Sequence, residues 1–323
     1  MESRQRKVAV VGSGLMGSGI AACLAAGGGH EVYLTDTKDD ALQKGLQKAK
    51  ELAAFINDNG IPPAPPSGCG AIHAAPSLAE AVDGASFVFE AVFEDLSIKQ
   101  GVFRQIERAL VGKEAGEEAL LCTNTSSLSI TEIAAVLDRP GRFVAAHFIG
   151  PPHLVPLVEV CGGAKTDSSA VERVREFLQA SGKRPVVLQK EIQGFIAARL
   201  QAALTRECTY LLQQGVASAE CLDAAVYNGF GRRLNTIGPL QQADFAGVDL
   251  LVKTHSVMWP QLGAMTSDKM AEDLANKGRC GVKTGAGYYD WNENTIQEVT
   301  SRRDKELLRR LKQDFSPPVT DQT

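Results

Sequence analysis

Three glycines, one acid and a histidine–glutamate pair carry the chemistry this sequence could perform. Gly12, Gly14 and Gly17 form G-x-G-x-x-G, with Leu15 and Met16 in the variable slots. Each glycine has its own task. Gly12 makes a tight turn, Gly14 lets a pyrophosphate approach a backbone without a Cβ, and Gly17 lets a following helix lie close to a sheet. That helix would aim its free N–H groups and positive dipole end at the phosphates. Asp36 follows the glycines by about twenty residues, where an acid can accept hydrogen bonds from a ribose 2′-hydroxyl. Its charge would repel a 2′-phosphate, so the expected cofactor is NAD rather than NADP, with Lys38 a weak counterweight.

The second constellation is His147 and Glu159, which flank the turn Gly150, Pro151, Pro152. A carboxylate on one imidazole nitrogen fixes the tautomer and stabilises the imidazolium, leaving the other nitrogen to take a proton. The same spacing also fits a histidine and a glutamate that merely lie on two surface strands. His153 is nearer the turn and is expected to be solvated.

The elements that must position these residues alternate. Val8–Val11 is a short apolar run typical of a parallel strand covered on both faces. A helix is predicted over Ser18–Ala26, stopped by Gly27–Gly29, then a strand over Glu31–Thr35 and a helix over Asp39–Asp58. Pro62, Pro63, Pro65 and Pro66 make 60–70 a loop. A short helix at Ser77–Val82, a strand at Ser86–Val92, a helix to Leu110, a charged turn at Glu114–Glu118 and a strand at Ala119–Thr123 continue the alternation. This predicts an α/β fold, a doubly wound parallel sheet with ligands beyond the carboxyl ends of its strands. Asp36, Ala91–Glu94 and Asn124–Ser127 lie at those ends. Arg142–Phe148 and Leu154–Val160 are joined by a turn too short for a crossover helix, so they should be antiparallel neighbours. A helix at Ser168–Ser181 and a strand at Arg184–Leu188 follow. From Lys190 onward β signals almost vanish, and helices are predicted at Gly194–Gln214, Ser218–Asn228, Pro239–Trp259 and Ser267–Lys277. The domains are therefore 1–189, which would bind the dinucleotide, and 190–323, all-α.

Composition narrows the class. The 323 residues suit two domains, and 44% hydrophobic with 22% charged residues is ordinary for a globular chain. The net charge of −4 and the lack of a long basic run argue against nucleic acid. Arg302–Lys312 alternates with leucine at helical spacing and reads as a solvated helix face. Seven scattered cysteines without C-x-x-C spacing read as reduced thiols in a cytoplasmic protein. No signal peptide or membrane-length apolar run is seen, and five histidines without ligand spacing argue against a metal site.

Read together, the motifs resemble a family over nearly the whole chain. VGSGLMGSGIA from Val11, FEAVFEDLSIK from Phe89, NTSSLSI from Asn124, the His147 stretch through PLVEV, GFIAARL from Gly194, IGPLQQADFAGVD from Ile237 and KTGAGYYDW from Lys283 are similar to the 3-hydroxyacyl-CoA dehydrogenases. Within them they resemble the lambda-crystallin (L-gulonate 3-dehydrogenase) branch. The resemblance implies a Rossmann-like NAD domain followed by an all-α substrate and dimerisation domain, in a homodimer. It makes His147 the general base, Glu159 its partner and Ser126 the residue that hydrogen-bonds the substrate's 3-oxygen. It places Glu94, Lys99 and Lys283 at NAD contacts, with Ala91 beside them. Two positions depart from the family pattern. Gly150 replaces the asparagine of H-F-F-N-P, and Ala198 replaces the substrate-facing asparagine of G-F-x-x-N-R.

The expected activity is NAD-dependent oxidation of a secondary 3-hydroxyl in a small hydroxy acid (L-gulonate-like) or an acyl-CoA thioester. Two features favour the free acid. ELAAFINDNG from Glu51 is neutral to acidic where CoA-using relatives are lysine-rich, and GFGRRLNTIGP from Gly229 resembles the lambda-crystallin branch, with Arg233 at that branch's arginine. A guanidinium can hold a carboxylate by two parallel charge-assisted hydrogen bonds; the alternative is that Arg233 caps a helix or pairs with an acid. KTGAGYYDW is closer to the CoA-using enzymes. The alternatives are a 3-hydroxybutyryl-CoA type of dehydrogenase and a weakly active, crystallin-like NAD-binding structural protein.

Overall fold

The computed structural model describes residues 5–63, 65–66, 68–112 and 118–315. Its first strand, β1 (Lys7–Val11), is buried from Val8 onward because it is covered on both faces. After it come α1 (Leu15–Ala26), β2 (Glu31–Thr35) and α2 (Asp39–Asn59). The next elements are β3 (Ile72–Ala74), α3 (Leu78–Val82), β4 (Phe87–Glu90), α4 (Leu96–Leu110), β5 (Leu120–Thr123) and α5 (Ile130–Ala134). Then follow β6 (Phe143–Phe148), β7 (Leu157–Gly162), α6 (Ser168–Ala180) and β8 (Arg184–Val187). Among the described residues these eight strands form one sheet in the order β3-β2-β1-β4-β5-β6-β7-β8. Every neighbouring pair is parallel except β6 and β7.

Alternation along β1 splits the core into two layers. Val8 and Val10 pack with Ile20, Leu24, Leu34 and Phe89 on one face, while Ala9 and Val11 pack with Val88, Phe103, Ile106 and Leu121 on the other. Side-chain caps start several helices. Ser77 accepts from the Glu80 N–H, Asp95 from the Ile98 N–H and Ser129 from the Glu132 N–H. Gly60, at φ 64°, ends α2.

The structure shifts some expected elements and adds others. The first helix begins at Leu15, three residues earlier than its pattern indicated. The strand expected at Leu154 begins at Leu157, because the Leu154 and Val155 N–H groups turn back onto the Pro151 carbonyl. β3 was not expected; it is three residues long and follows the proline-rich loop. α5 was also not expected. Most of the charged turn at Glu114–Glu118 lies outside the described residues.

The chain divides into two compact units, Met1–Ile196 with Arg303–Thr323, and Ala197–Arg302. The second unit is helical, with α7 (Ala197–Gln213), α8 (Ala219–Asn228), α9 (Pro239–Ala246), α10 (Val248–Met258) and α11 (Lys269–Asn276). It also holds the first part of α12 (Glu293–Phe315). The single helix expected over Pro239–Trp259 is broken at Gly247, whose φ of 94° no helical residue can hold. No described helix is long and apolar enough to cross a membrane.

Candidate active site

The parallel strands deliver their carboxyl ends to one edge of the sheet, and the predicted residues of the first unit gather there. At the end of β1, Gly12 adopts φ 97° and donates its N–H to the Thr35 carbonyl at 2.9 Å. A Cβ on Gly12 would lie 2.7 Å from the Ala91 carbonyl oxygen, and one on Gly17 would lie 1.8 Å from the Gly12 carbonyl oxygen. Those two glycines are therefore fixed by close approach. Gly14 differs, since a Cβ there would meet nothing within 4 Å. It opens α1 without a side-chain cap, so the first N–H groups of that helix are left for a ligand. Leu15 is 77% exposed beside it, and Met16 is half-buried against the core. An open Gly14 and an uncapped helix start fit the pyrophosphate of a dinucleotide.

Asp36, just past β2, grips this turn. Its Oδ2 accepts from the Ser13 N–H at 2.8 Å and the Ser13 hydroxyl at 2.9 Å, and its Oδ1 accepts from the Lys38 N–H at 3.2 Å. Burial pushes this carboxyl up, but the hydrogen bonds from Ser13 and Lys38 outweigh it and hold it below the ordinary aspartate value.

The ends of β4 and β5 carry a charged network. Glu90 is fully buried. Its Oε1 accepts from Lys99 Nζ at 2.7 Å and from the Val92 N–H at 2.7 Å, and its Oε2 accepts from the Thr123 hydroxyl at 2.7 Å. Burial raises the Glu90 carboxyl, and the Lys99 ammonium works against that. Lys99 is itself only 1% exposed and also faces Glu94 Oε2 at 3.3 Å. Glu94 in turn holds the loop after β5. Its Oε1 accepts from the Thr125 hydroxyl at 2.7 Å, the Ser126 N–H at 2.9 Å and the Ser127 N–H at 2.8 Å. Burial pushes Glu94 up, but Thr125, Lys99 and the two N–H groups bring it down to about 2. Ser126 is exposed at the loop tip, with its hydroxyl 3.4 Å from Glu94 Oε1. Sequence reasoning singled out Glu94 and Lys99 but not Glu90. The available signal was a charged residue ending a strand whose other residues are apolar, where burial demands a partner.

His147 and Glu159 are direct cross-strand partners on β6 and β7. His147 Nδ1 lies 2.9 Å from Glu159 Oε2, with the two residues 7% and 1% exposed. The surface-strand alternative is thereby excluded. Glu159 Oε1 accepts from the Ile196 N–H at 2.8 Å, and the Phe195 ring lies 4.9 Å from the imidazole, centroid to centroid. Asn124 Oδ1 accepts from the Phe148 N–H at 2.8 Å, tying the Ser126 loop to the residue beside His147. His153 is half-buried rather than solvated, edge-on to Phe55, and its Nδ1 has no hydrogen-bond partner among the described residues. A Cβ at Gly150 would approach only Met16 Sδ, at 3.8 Å, so nothing here forces glycine in place of the family's asparagine.

Ala198, Arg233 and Lys283 belong to the second unit. Ala198 is half-buried in α7. Lys283 is exposed in the 3₁₀ turn Val282–Thr284. Arg233 follows the 3₁₀ turn Phe230–Arg232 and is exposed, and no described carboxylate pairs with its guanidinium. No group of three or more described His, Cys, Asp or Glu residues is arranged to hold a metal ion.

Residues 7–192 match the 3-hydroxyacyl-CoA dehydrogenase NAD binding domain, and residues 194–291 match the 3-hydroxyacyl-CoA dehydrogenase C-terminal domain. The chain is 31% identical over 306 residues to the 5-formyl-3-hydroxy-2-methylpyridine 4-carboxylate 5-dehydrogenase of Mesorhizobium japonicum, covering 94% of this chain and 96% of that one. It is 32% identical over 290 residues to the 3-hydroxybutyryl-CoA dehydrogenase of Bradyrhizobium diazoefficiens, covering 88% and 95%. A crystal structure of a 5-formyl-3-hydroxy-2-methylpyridine 4-carboxylic acid 5-dehydrogenase, described as an NAD+ dependent dismutase, superposes with a TM-score of 0.89 at 30% identity. That superposition covers 96% of this chain and 99% of the other. The glycine turn, the matched NAD domain and these NAD-dependent relatives establish NAD as the cofactor. With both of its halves matched and its relatives oxidoreductases, the chain belongs to the 3-hydroxyacyl-CoA dehydrogenase family.

Proposed function

We propose that the enzyme oxidises the secondary 3-hydroxyl of a small free 3-hydroxy acid, with His147 as general base. The observation that carries the base assignment is the 2.9 Å contact between His147 Nδ1 and Glu159 Oε2. With Nδ1–H donating to the carboxylate, Nε2 keeps its lone pair for the substrate's hydroxyl proton, and Glu159 offsets the charge that the imidazole then carries. Ser126 is read as the hydroxyl that supports the developing alkoxide, held in its loop by Glu94. When bound, NAD supplies hydride acceptance. Gly12, Gly14, Gly17, Leu15, Met16, Asp36, Ala91 and Glu94 are read as its surroundings. Lys99 acts through Glu94, because its ammonium is buried against the two glutamates.

The free-acid reading has two supports. The Mesorhizobium relative is named for a pyridine substrate that carries a carboxylate beside the formyl group at the position its name gives, which supports the carboxylate and not the position of the alcohol. Arg233, the proposed carboxylate clamp, is exposed at the end of the 3₁₀ turn Phe230–Arg232, and its clamp role rests on the resemblance of the GFGRRLNTIGP stretch. The lambda-crystallin branch assignment rests on the same stretch. The second reading, a 3-hydroxybutyryl-CoA dehydrogenase, is favoured by the Bradyrhizobium relative's name. NADH formation with a panel of free 3-hydroxy acids and 3-hydroxyacyl-CoAs decides between them. A wild-type enzyme that prefers 3-hydroxybutyryl-CoA would end the free-acid reading. In the clamp reading, Arg233→Met raises KM for the free acid at least tenfold, as loss of a charged contact of about 1.5–3 kcal/mol requires.

The proposed assembly is a homodimer. Leu240, Phe245, Val257 and Trp259 of the second unit are 81%, 84%, 71% and 63% exposed, an apolar surface that association would cover. Light scattering on the purified protein tests it. The seven unpaired thiols support a reducing compartment, the cytoplasm.

A further inference from the structure

Phe195 is the one non-glycine residue with positive φ among the described residues, at 49°. Bulky side chains rarely adopt that conformation. It follows Gly194, at φ 80°, and it is 2% exposed. Such a backbone persists only where the surroundings over-determine it, and here the segment is pinned at both ends. Upstream, the Glu191 carboxylate accepts from the Ser129 and Thr131 hydroxyls at 2.6 Å each, on and just before α5, the helix that follows the Ser126 loop. Downstream, the Ile196 N–H donates to Glu159 Oε1 at 2.8 Å. That carboxylate holds His147 through its other oxygen. Between the pins, the Phe195 ring lies 4.9 Å from the imidazole at an interplanar angle of 34°.

We propose that Phe195 is a positioning residue for His147: the segment 191–196 forces its ring against the imidazole and its neighbour's N–H onto Glu159, so that the pair has one orientation. An aromatic face offers the imidazole no competing hydrogen bond, and its bulk keeps water from the contact with Glu159. This inference rests on the reading of His147 as the base.

The test compares Phe195→Leu and Phe195→Gly with His147→Gln. Leucine keeps apolar bulk without the ring, and glycine accepts φ 49° freely but removes the ring. Both variants are expected to lose at least tenfold in kcat while NADH affinity stays within twofold. In cofactor-free protein, the His147 ring-proton resonances are expected to move in both variants, because the neighbouring ring current is gone. Unchanged kcat in Phe195→Leu and Phe195→Gly overturns the proposal. So does a loss of NADH affinity in parallel with kcat, which marks general disruption of the site. If His147→Gln is fully active, the base reading fails instead, and exchange broadening of the His147 ring-proton resonances in the Phe195 variants, beyond the ring-current shift, still reports whether the ring fixes the imidazole. A Phe195→Gly variant that fails to fold leaves Phe195→Leu and its resonances to decide.

Discussion

His147 and Glu159 face each other across the antiparallel β6–β7 pair, and their side chains close to 2.9 Å between Nδ1 and Oε2. Side chains at directly opposed positions share one face of a sheet, so the register delivers the contact without a loop. His147→Gln should lower kcat about a thousandfold, within the range of about 10²–10⁴ for general-base catalysis, and leave NAD binding intact. Glu159→Gln should approach that loss. The double variant should be little worse than His147→Gln, because groups that act as a unit are not additive. Stopped-flow turnover measures all three, and single losses that simply multiply would sink the dyad.

Much of this arrangement was readable in the residues. The glycine turn, β2 and Asp36 appear where their spacing puts them, and the short turn after Phe148 correctly required antiparallel strands. The Glu90–Lys99 contact was not readable, because it joins the end of β4 to α4 and exists only once that helix packs on the sheet. The conformation of Phe195 was equally hidden, since nothing in an aromatic side chain announces a positive φ; only the pins at Glu191 and Ile196 impose it. β3, with three residues, is too short to show periodicity. The break at Gly247 failed as a signal because isolated glycines also occur inside helices.

Asp36 orients the glycine turn through Ser13, and in the proposed site the same carboxylate faces the ribose 2′-hydroxyl. Asp36→Ala should weaken NAD binding tenfold to a hundredfold, matching loss of a charged hydrogen bond of about 1.5–3 kcal/mol. It should also narrow the preference for NADH over NADPH, since the repelling charge is gone. Fluorescence titration of both reduced cofactors checks this. An unchanged NADH/NADPH ratio would remove Asp36 from the 2′-position.

Lys99 and Glu90 form an ion pair with side chains 1% and 0% exposed. Lys99→Met leaves a buried carboxylate without its counter-charge, which costs about 3–5 kcal/mol. Glu94 also loses its cation, so the Ser126 loop should loosen and NAD affinity should fall. Adding Glu90→Gln to Lys99→Met removes the orphaned charge, so the double variant should be more stable than Lys99→Met alone. Urea unfolding of Lys99→Met, Glu90→Gln and the double variant tests the coupling, and strictly additive losses would rule it out.

His30 sets an acid limit on stability away from the catalytic edge. It is 2% exposed, its ring stacks on Phe177 at 4.7 Å, and its Nδ1 has no hydrogen-bond partner among the described residues. Burial, helped by the positive charge of Arg6, pushes its pKa from 6.5 down to about 4. Between those values the unfolded chain holds a proton that the folded chain does not. Unfolding therefore takes up a proton in that window, and stability falls as the pH falls. The contribution is complete above pH 6.5, is lost on the way down to about pH 4, and does not change further below that. At about 1.4 kcal/mol per pKa unit, the loss is roughly 3 kcal/mol. His30→Gln, close in size and unable to titrate, should lose about 2–3 kcal/mol less than the wild type between pH 7.5 and pH 4.5. Urea midpoints at the two pH values give the difference. Equal losses in the two proteins would show that His30 is already protonated, or hydrated, in the folded state.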